Sequence, residues 1–202
     1  MHSRGIDYEL IDFCIRTGRL YESYPHHNAV FVGKDKDGQP RYACLRGIGT
    51  DFKGEATGSD KRFSFSIPAK ESSQVLYLFE SAIDLLSFAT MAQEDRLPWR
   101  SQHLLSLAGV YQPKKNLAER RLPLALSQYL RDHREIQTIY LCLDNDLAGR
   151  SAADAIRQQL AGKYVVRDGF PCQGKDYNDW LCLRKGLPIT RTVPKTERSI
   201  AR

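Results

Sequence analysis

The sequence predicts an α/β fold: a parallel sheet flanked by helices, preceded by a small module of one helix and an antiparallel sheet. Three observations carry that expectation. From Val75 onward, short apolar runs alternate with helical stretches, the rhythm of βα units and parallel strands. Before Val75 the apolar runs alternate with a period of two and are separated by turn residues. The 202 residues are 42% hydrophobic and 27% charged, which suits a folded chain with one full core.

Taken in order, "IDYELIDFCIRTGRLYES" places Ile6, Leu10, Ile11, Phe13, Cys14 and Ile15 at helical spacing, with Gly18 as the stop. In "AVFVGKDKDGQPRYACLRGI", Asp37-Gly38 lies between two apolar runs and predicts a hairpin, with Pro40 opening the return strand. "DFKGEATGSDKRFSFSI" extends the antiparallel pattern, with Phe63, Phe65 and Ile67 on one face. "VLYLF" then reads as a buried strand, "SAIDLLSFATMAQ" as an amphipathic helix and "HLLSLAG" as a second strand. "NLAERRLPLALSQYLRDH" reads as mostly helical with a break at Pro123. "IYLCL" and "KYVVRDGF" supply two more strands, each followed by a helix. The expected organisation is a small module over 1–70, an α/β domain over 71–187 and a basic flexible tail over 188–202.

Bulk properties narrow the function classes. No apolar stretch approaches the roughly 20 residues that cross a bilayer, and "MHSRGIDYEL" lacks the apolar core of a signal peptide. A cytoplasmic protein without a membrane partner is therefore expected. Cys14, Cys44, Cys142, Cys172 and Cys182 form no C-x-x-C pair, which argues against a cysteine zinc module or a disulfide framework. The histidines show no ligand spacing, and ordinary structural roles are expected for His26, His27 and His103. A formal charge of +6 suits a polyanionic partner.

The chemistry concentrates at strand ends. In parallel α/β sheets ligands bind beyond the carboxyl ends of the strands. Glu80 ends the first such strand, with Asp84 one helical turn later. Asp144 and Asp146 end the third, as D-x-D before "LAGRSAADAI", where Gly149 permits a tight entry into the helix. "GKDYND" follows the fourth and brings Lys175, Asp176 and Asp179. Neighbouring strands lie about 4.8 Å apart, so these carboxylates can converge on a hard divalent cation. Asp146 alone reads equally well as a helix cap.

The order glutamate, then D-x-D, in a compact α/β unit resembles the Toprim domain of bacterial primases, topoisomerases, recombination-repair proteins and certain nucleases. The matching segments are "LYLFESAIDLLSF", "LLSLAGV", "IYLCLDNDLAGRSAADAI" and "GKDYNDWL". "NAVFVGKDKDGQPRYACLRG" and "GSDKRFSFSI" resemble the domain that precedes Toprim in many plasmid and integrative-element proteins. The resemblance implies a Rossmann-like Toprim sheet, with Glu80 as general acid or base and Asp144 and Asp146 as ligands of Mg²⁺ or Mn²⁺. Asp84 and Asp176 match further acidic positions of primase-type members and join the expected metal set. Ser81 stands where many Toprim domains have glycine. Missing gate domains and a motif-placed tyrosine nucleophile argue against a topoisomerase.

Lys175 adjoins the acidic group, either to hold a phosphate or to neutralise Asp176. Lys61, Arg62, Arg41 and Arg46 could form a basic edge for phosphate contact, with Phe63 or Phe65 stacking on bases. The competing and preferred reading is a solvated sheet face with its aromatics packed inside. The expected activity is Mg-dependent nucleotidyl transfer on nucleic acid, primase-like, in replication or transfer of a mobile element. Two alternatives are a nicking Toprim nuclease and a non-catalytic nucleic-acid-binding accessory module. DNA is expected over RNA, with a helicase, relaxase or polymerase as protein partner.

Overall fold

The computed structural model describes residues 1–109 and 121–189. The expected basic tail therefore lies almost wholly outside the described residues, as does the start of the helix expected from Asn116.

Helix α1 (Tyr8–Arg16) begins where the Asp7 carboxylate accepts the Glu9 N–H at 2.8 Å, and it buries Leu10 and Cys14. Gly18 follows it with φ 63°, a left-handed conformation that suits glycine. Strands β1 (Leu20–Glu22), β2 (Ala29–Lys34), β3 (Pro40–Arg46) and β4 (Lys53–Glu55) form an antiparallel meander in chain order. The hairpin turn forms at Asp37-Gly38 as expected. Asp35 Oδ1 accepts the N–H groups of Asp37 and Gln39, at 3.1 and 2.9 Å.

The antiparallel pattern does not run on through Ile67. Asp60 accepts the Arg62 N–H at 3.0 Å and turns Lys61–Phe63 into a short 3₁₀ helix. After that turn β5 (Ser66–Ile67) leaves the first sheet and pairs antiparallel with β7 (His103–Ser106) of the second. Side-chain capping at Asp60 thus overrides the alternating pattern.

The second sheet has the order β5-β7-β6-β8-β9, with β6 (Val75–Phe79), β7, β8 (Thr138–Cys142) and β9 (Val165–Asp168) mutually parallel. Period-two alternation divides its faces. Leu76, Leu78, Leu105, Ile139 and Leu141 pack under α3 (Leu124–Asp132) and α4 (Leu147–Leu160). Phe79, Leu104 and Cys142 face α2 (Ala82–Glu94) and α5 (Tyr177–Arg184), in one core with Ile6, Leu10, Phe31 and Phe65. Helices on both faces are the predicted α/β layering.

Helix α2 differs from expectation. Ten of the 13 residues of α2 are buried, so it is enclosed rather than amphipathic. The reason is that α1, α5 and the sheet all pack against it. Helix α3 starts only after Pro123, which sits at the cap position. Among the described residues no helix is long and apolar enough to cross a membrane.

Candidate active site

Strands β6 and β8 are neighbours in register, with Phe79 paired to Cys142. The next residues of both strands, Glu80 and then Leu143-Asp144, therefore emerge side by side at the carboxyl edge. Strand β9 lies on the other side of β8, and the chain after it returns through Lys175 to the start of α5. The Asn145 N–H donates to the Lys175 carbonyl at 2.7 Å, stitching the D-x-D loop to the "GKD" loop.

Asp144 is 7% exposed, and Asp146 is half-buried. Asp146 serves as the α4 cap, its Oδ1 accepting the Gly149 N–H at 2.9 Å. Capping and a site role are compatible here, because Oδ2 is turned to Lys175. The Lys175 ammonium bridges Asp144 Oδ2 at 2.9 Å and Asp146 Oδ2 at 3.2 Å. It thus neutralises the D-x-D pair and not Asp176, the partner weighed from sequence. Gly149 is sterically required: a Cβ there would lie 2.1 Å from the Asp144 carbonyl oxygen.

Burial and mutual repulsion set the protonation states. Burial, followed by the charge of Asp144, pushes Glu80 up to about 7. Burial also raises Asp144, outweighing the hydrogen bond from Lys175 that pulls it down. Asp146 is lowered, chiefly by the Gly149 N–H. The hydrogen bonds that the Lys175 ammonium donates, to Asp144 above all and to Asp146, raise it, so it stays charged.

Asp84 and Asp176, expected as further metal ligands, lie at the junction of α2 and α5. Asp84 is buried, with Oδ2 accepting the Ser81 hydroxyl at 2.5 Å and Oδ1 the Asn178 N–H at 3.3 Å. Burial and then the Asp176 charge raise it. Asp176 caps α5 by accepting the Asp179 N–H at 2.7 Å, and Asp179 Oδ2 accepts the Lys175 N–H at 3.0 Å. Oδ2 of Asp84 thus holds the α2 cap Ser81, while Oδ1 ties α2 to α5. Ser81 reconciles its departure from glycine by capping α2 and holding Asp84.

Residues 77–181, more than half of the chain, match the family model described as Toprim-like. The chain belongs to the Toprim-like family. Residues 1–72 match a second model, described as a protein of unknown function, DUF3991. A 65 kDa protein of Zymomonas mobilis subsp. mobilis is 29% identical over 207 residues. That alignment covers 96% of this chain and 32% of the relative, so the chain spans about a third of the curated relative's length.

Solved structures agree on the Toprim-like fold. The primase fragment of the bacteriophage T7 primase-helicase superposes with a TM-score of 0.62 at 20% identity, covering 92% of this chain and 68% of that one. The E. coli primase catalytic core gives 0.53 at 14% identity, covering 91% and 67%. A T7 structure in which lagging-strand DNA polymerase contacts primase domains of two gp4 subunits, bound to an RNA/DNA hybrid and dTTP, gives 0.61 at 19% identity. It covers 92% of this chain and 84% of that one.

The donors of this Toprim-like edge are carboxylate oxygens, the set that Mg²⁺ and Mn²⁺ prefer. The structure already holds one cation there, the Lys175 ammonium between Asp144 and Asp146. Among the described residues, no three of these carboxylates bring ligand atoms within 4.8 Å of one another. The site is an open pair with Glu80 beside it, which suits an ion that keeps several waters. Asp144 and Asp146 are donors of the type that a hydrated divalent ion takes.

The cations of the expected basic edge have local partners. Lys61 pairs with Glu55 at 3.0 Å, Arg62 with Asp60 at 2.6 Å, and Arg46 Nη1 donates to the Leu45 carbonyl at 2.9 Å. Phe65 is 1% exposed and packs edge-on to Phe31, so it cannot stack on a base. Phe63 is half-buried, with Arg41 and Arg62 over its ring. Arg62 also lines a cavity with Arg19, Lys34 and Lys36, three cations that the sequence reading did not single out. Their positions on separate elements left no local signal.

Proposed function

We propose that this chain transfers nucleotidyl groups on nucleic acid in the manner of a primase, with Mg²⁺ or Mn²⁺ held by Asp144 and Asp146 and Glu80 as general acid or base. The observation that carries the reading is Glu80 beside Asp144 at adjacent strand ends, with a carboxyl pushed up to about 7. Such a group exchanges protons at neutral pH, which a general acid or base must do. The divalent ion supplies charge stabilisation on a phosphoryl oxygen. Glu80 takes the proton of the attacking hydroxyl as the new O–P bond forms at the α-phosphorus, and the α–β phosphoanhydride bond breaks to release pyrophosphate. Lys175, on a flexible stem, moves from the D-x-D pair to a phosphate oxygen.

The substrate is a single-stranded template, DNA in preference to RNA, in replication or transfer of a mobile element. A helicase or polymerase partner is proposed because the T7 relatives carry a helicase and meet a polymerase. A relaxase partner and a cytoplasmic location belong to the same proposal.

Titrating Mn²⁺ into the protein with a single-stranded oligonucleotide tests the site. Saturable binding is expected for the wild type, weakened by more than about 100-fold in Asp144→Asn/Asp146→Asn. Ribonucleotide incorporation on that template would then distinguish synthesis from Mn²⁺-dependent nicking of supercoiled plasmid. Equal oligonucleotide binding by both proteins, with no metal uptake, would leave the accessory-module reading in its place.

A further inference from the structure

A second group of ligands gathers at the opposite, amino edge of the sheet. His103 is the first residue of β7, and its ring is 3% exposed. His133 is the residue that closes α3, and Glu135 follows it in the turn before β8. One ligand atom from each lies within 4.8 Å of the others, the one such trio among the described residues. His103 Nε2 stands 3.6 Å from Glu135 Oε1, and His133 Nδ1 stands 3.3 Å from the same oxygen. Strand direction separates this edge from the acidic one: His103 opens β7, whereas Glu80 follows the carboxyl end of β6.

We propose that His103, His133 and Glu135 bind a Zn²⁺ ion. Two imidazole nitrogens and one carboxylate oxygen are a known zinc donor set that leaves a fourth position for water. Ligands on a tetrahedral ion at 2.0–2.1 Å lie roughly 3.3 Å apart, close to the two separations observed. The independent observation is His103 Nε2: it is buried and has no hydrogen-bond partner. Buried polar atoms rarely go unsatisfied. The other ring nitrogen, Nδ1, sits 3.0 Å from the Tyr129 hydroxyl. A proton on Nδ1 donated to that oxygen leaves the Nε2 lone pair directed at the trio, the arrangement seen behind metal-bound histidines. The remaining polar neighbours of the ring are the Ala69 N–H, 3.5 Å from Nδ1, and the Ser73 main chain.

The ion has a way in, because the His133 and Glu135 side chains are 24% and 38% exposed. Bound there, it would clamp the start of β7 to the turn between α3 and β8. Only His133-x-Glu135 is local in the chain; His103 joins it from a different element.

The test is isothermal titration of the chelator-treated full chain with Zn²⁺ in excess Mg²⁺, paired with zinc X-ray absorption. One Zn²⁺ per chain with a nitrogen and oxygen shell is expected. His133→Ala and Glu135→Gln, both at partly exposed positions, should each weaken binding by more than about 10-fold. Asp144→Asn/Asp146→Asn should bind Zn²⁺ like the wild type. Zn²⁺ should raise the melting temperature of the wild type and not of His133→Ala. No uptake, sulfur in the shell, or affinity unchanged in both ligand variants would overturn the proposal. So would loss confined to the Asp144/Asp146 variant.

Discussion

Glu80→Gln is expected to lower product formation by about 10²–10⁴-fold, the usual worth of a positioned acid or base, while oligonucleotide binding stays within about twofold. The same substitution should stabilise the protein at alkaline pH. Glu80 rises from 4.5 in the unfolded chain to about 7 in the fold, so the folded state binds the extra proton. Stability is therefore fully present below pH 4.5 and is lost as pH rises through 7. Allowing for solvent at this partly exposed position, the loss amounts to about 1–2 kcal/mol by pH 8. Asp84 and Asp176 are raised too, so the variant keeps part of the slope. Urea unfolding of both proteins at pH 5.5 and pH 8 measures the difference. Parallel curves would show that Glu80 is an ordinary exposed carboxylate and would remove its candidacy.

The second large effect is expected from Gly149→Ala. Helix propensity alone predicts a gain of about 1 kcal/mol from this change. The structure predicts a loss, because the new methyl would meet the Asp144 carbonyl at 2.1 Å. Backbone cannot swing aside as a flexible side chain can. Relief must come from moving the D-x-D loop away from α4, at a cost of about 1–3 kcal/mol. That movement would also part the Asp146 cap from the Gly149 N–H and Asp144 from Lys175. Lower stability together with weakened Mn²⁺ uptake is the expected pair of results. A stabilised variant with normal uptake would mean the loop is not pinned by this contact.

The parts of the fold legible in the sequence were those fixed by local pattern. Apolar runs such as Val75–Phe79 and Thr138–Cys142 appear as strands, and Asp37-Gly38 turns a hairpin. The position of the carboxylates at strand ends could be read as well. The strand order could not, because pairing of β6 with β8 is set by contacts distant in sequence. For that reason the sequence could say that Glu80 and Asp144 might converge, and only the structure puts them on adjacent strands. Long side chains were the hardest to place. Lys175 reaches Asp144 and Asp146 past its own neighbour Asp176, and Lys61 and Arg62 find local acids instead of an open face. Asp84, expected as a ligand from the resemblance to primase-type Toprim domains, also joins α2 to α5, a contact hidden by its distance in sequence from Asn178.

The two family models meet between residues 72 and 77, yet the folded molecule has no seam there. Strand β5 belongs to the first model and is hydrogen-bonded into a sheet whose other strands belong to the second. Phe65 and Ile67 share a core with Phe79 and Leu104. A fragment starting at residue 71 would bare the outer edge of β7 and an apolar patch beside it, both invitations to aggregate. Such a fragment is expected to be recovered as multimers by size-exclusion chromatography, whereas the full chain runs as a discrete species. The two segments of this chain are therefore not beads on a string but halves of one sheet and one core.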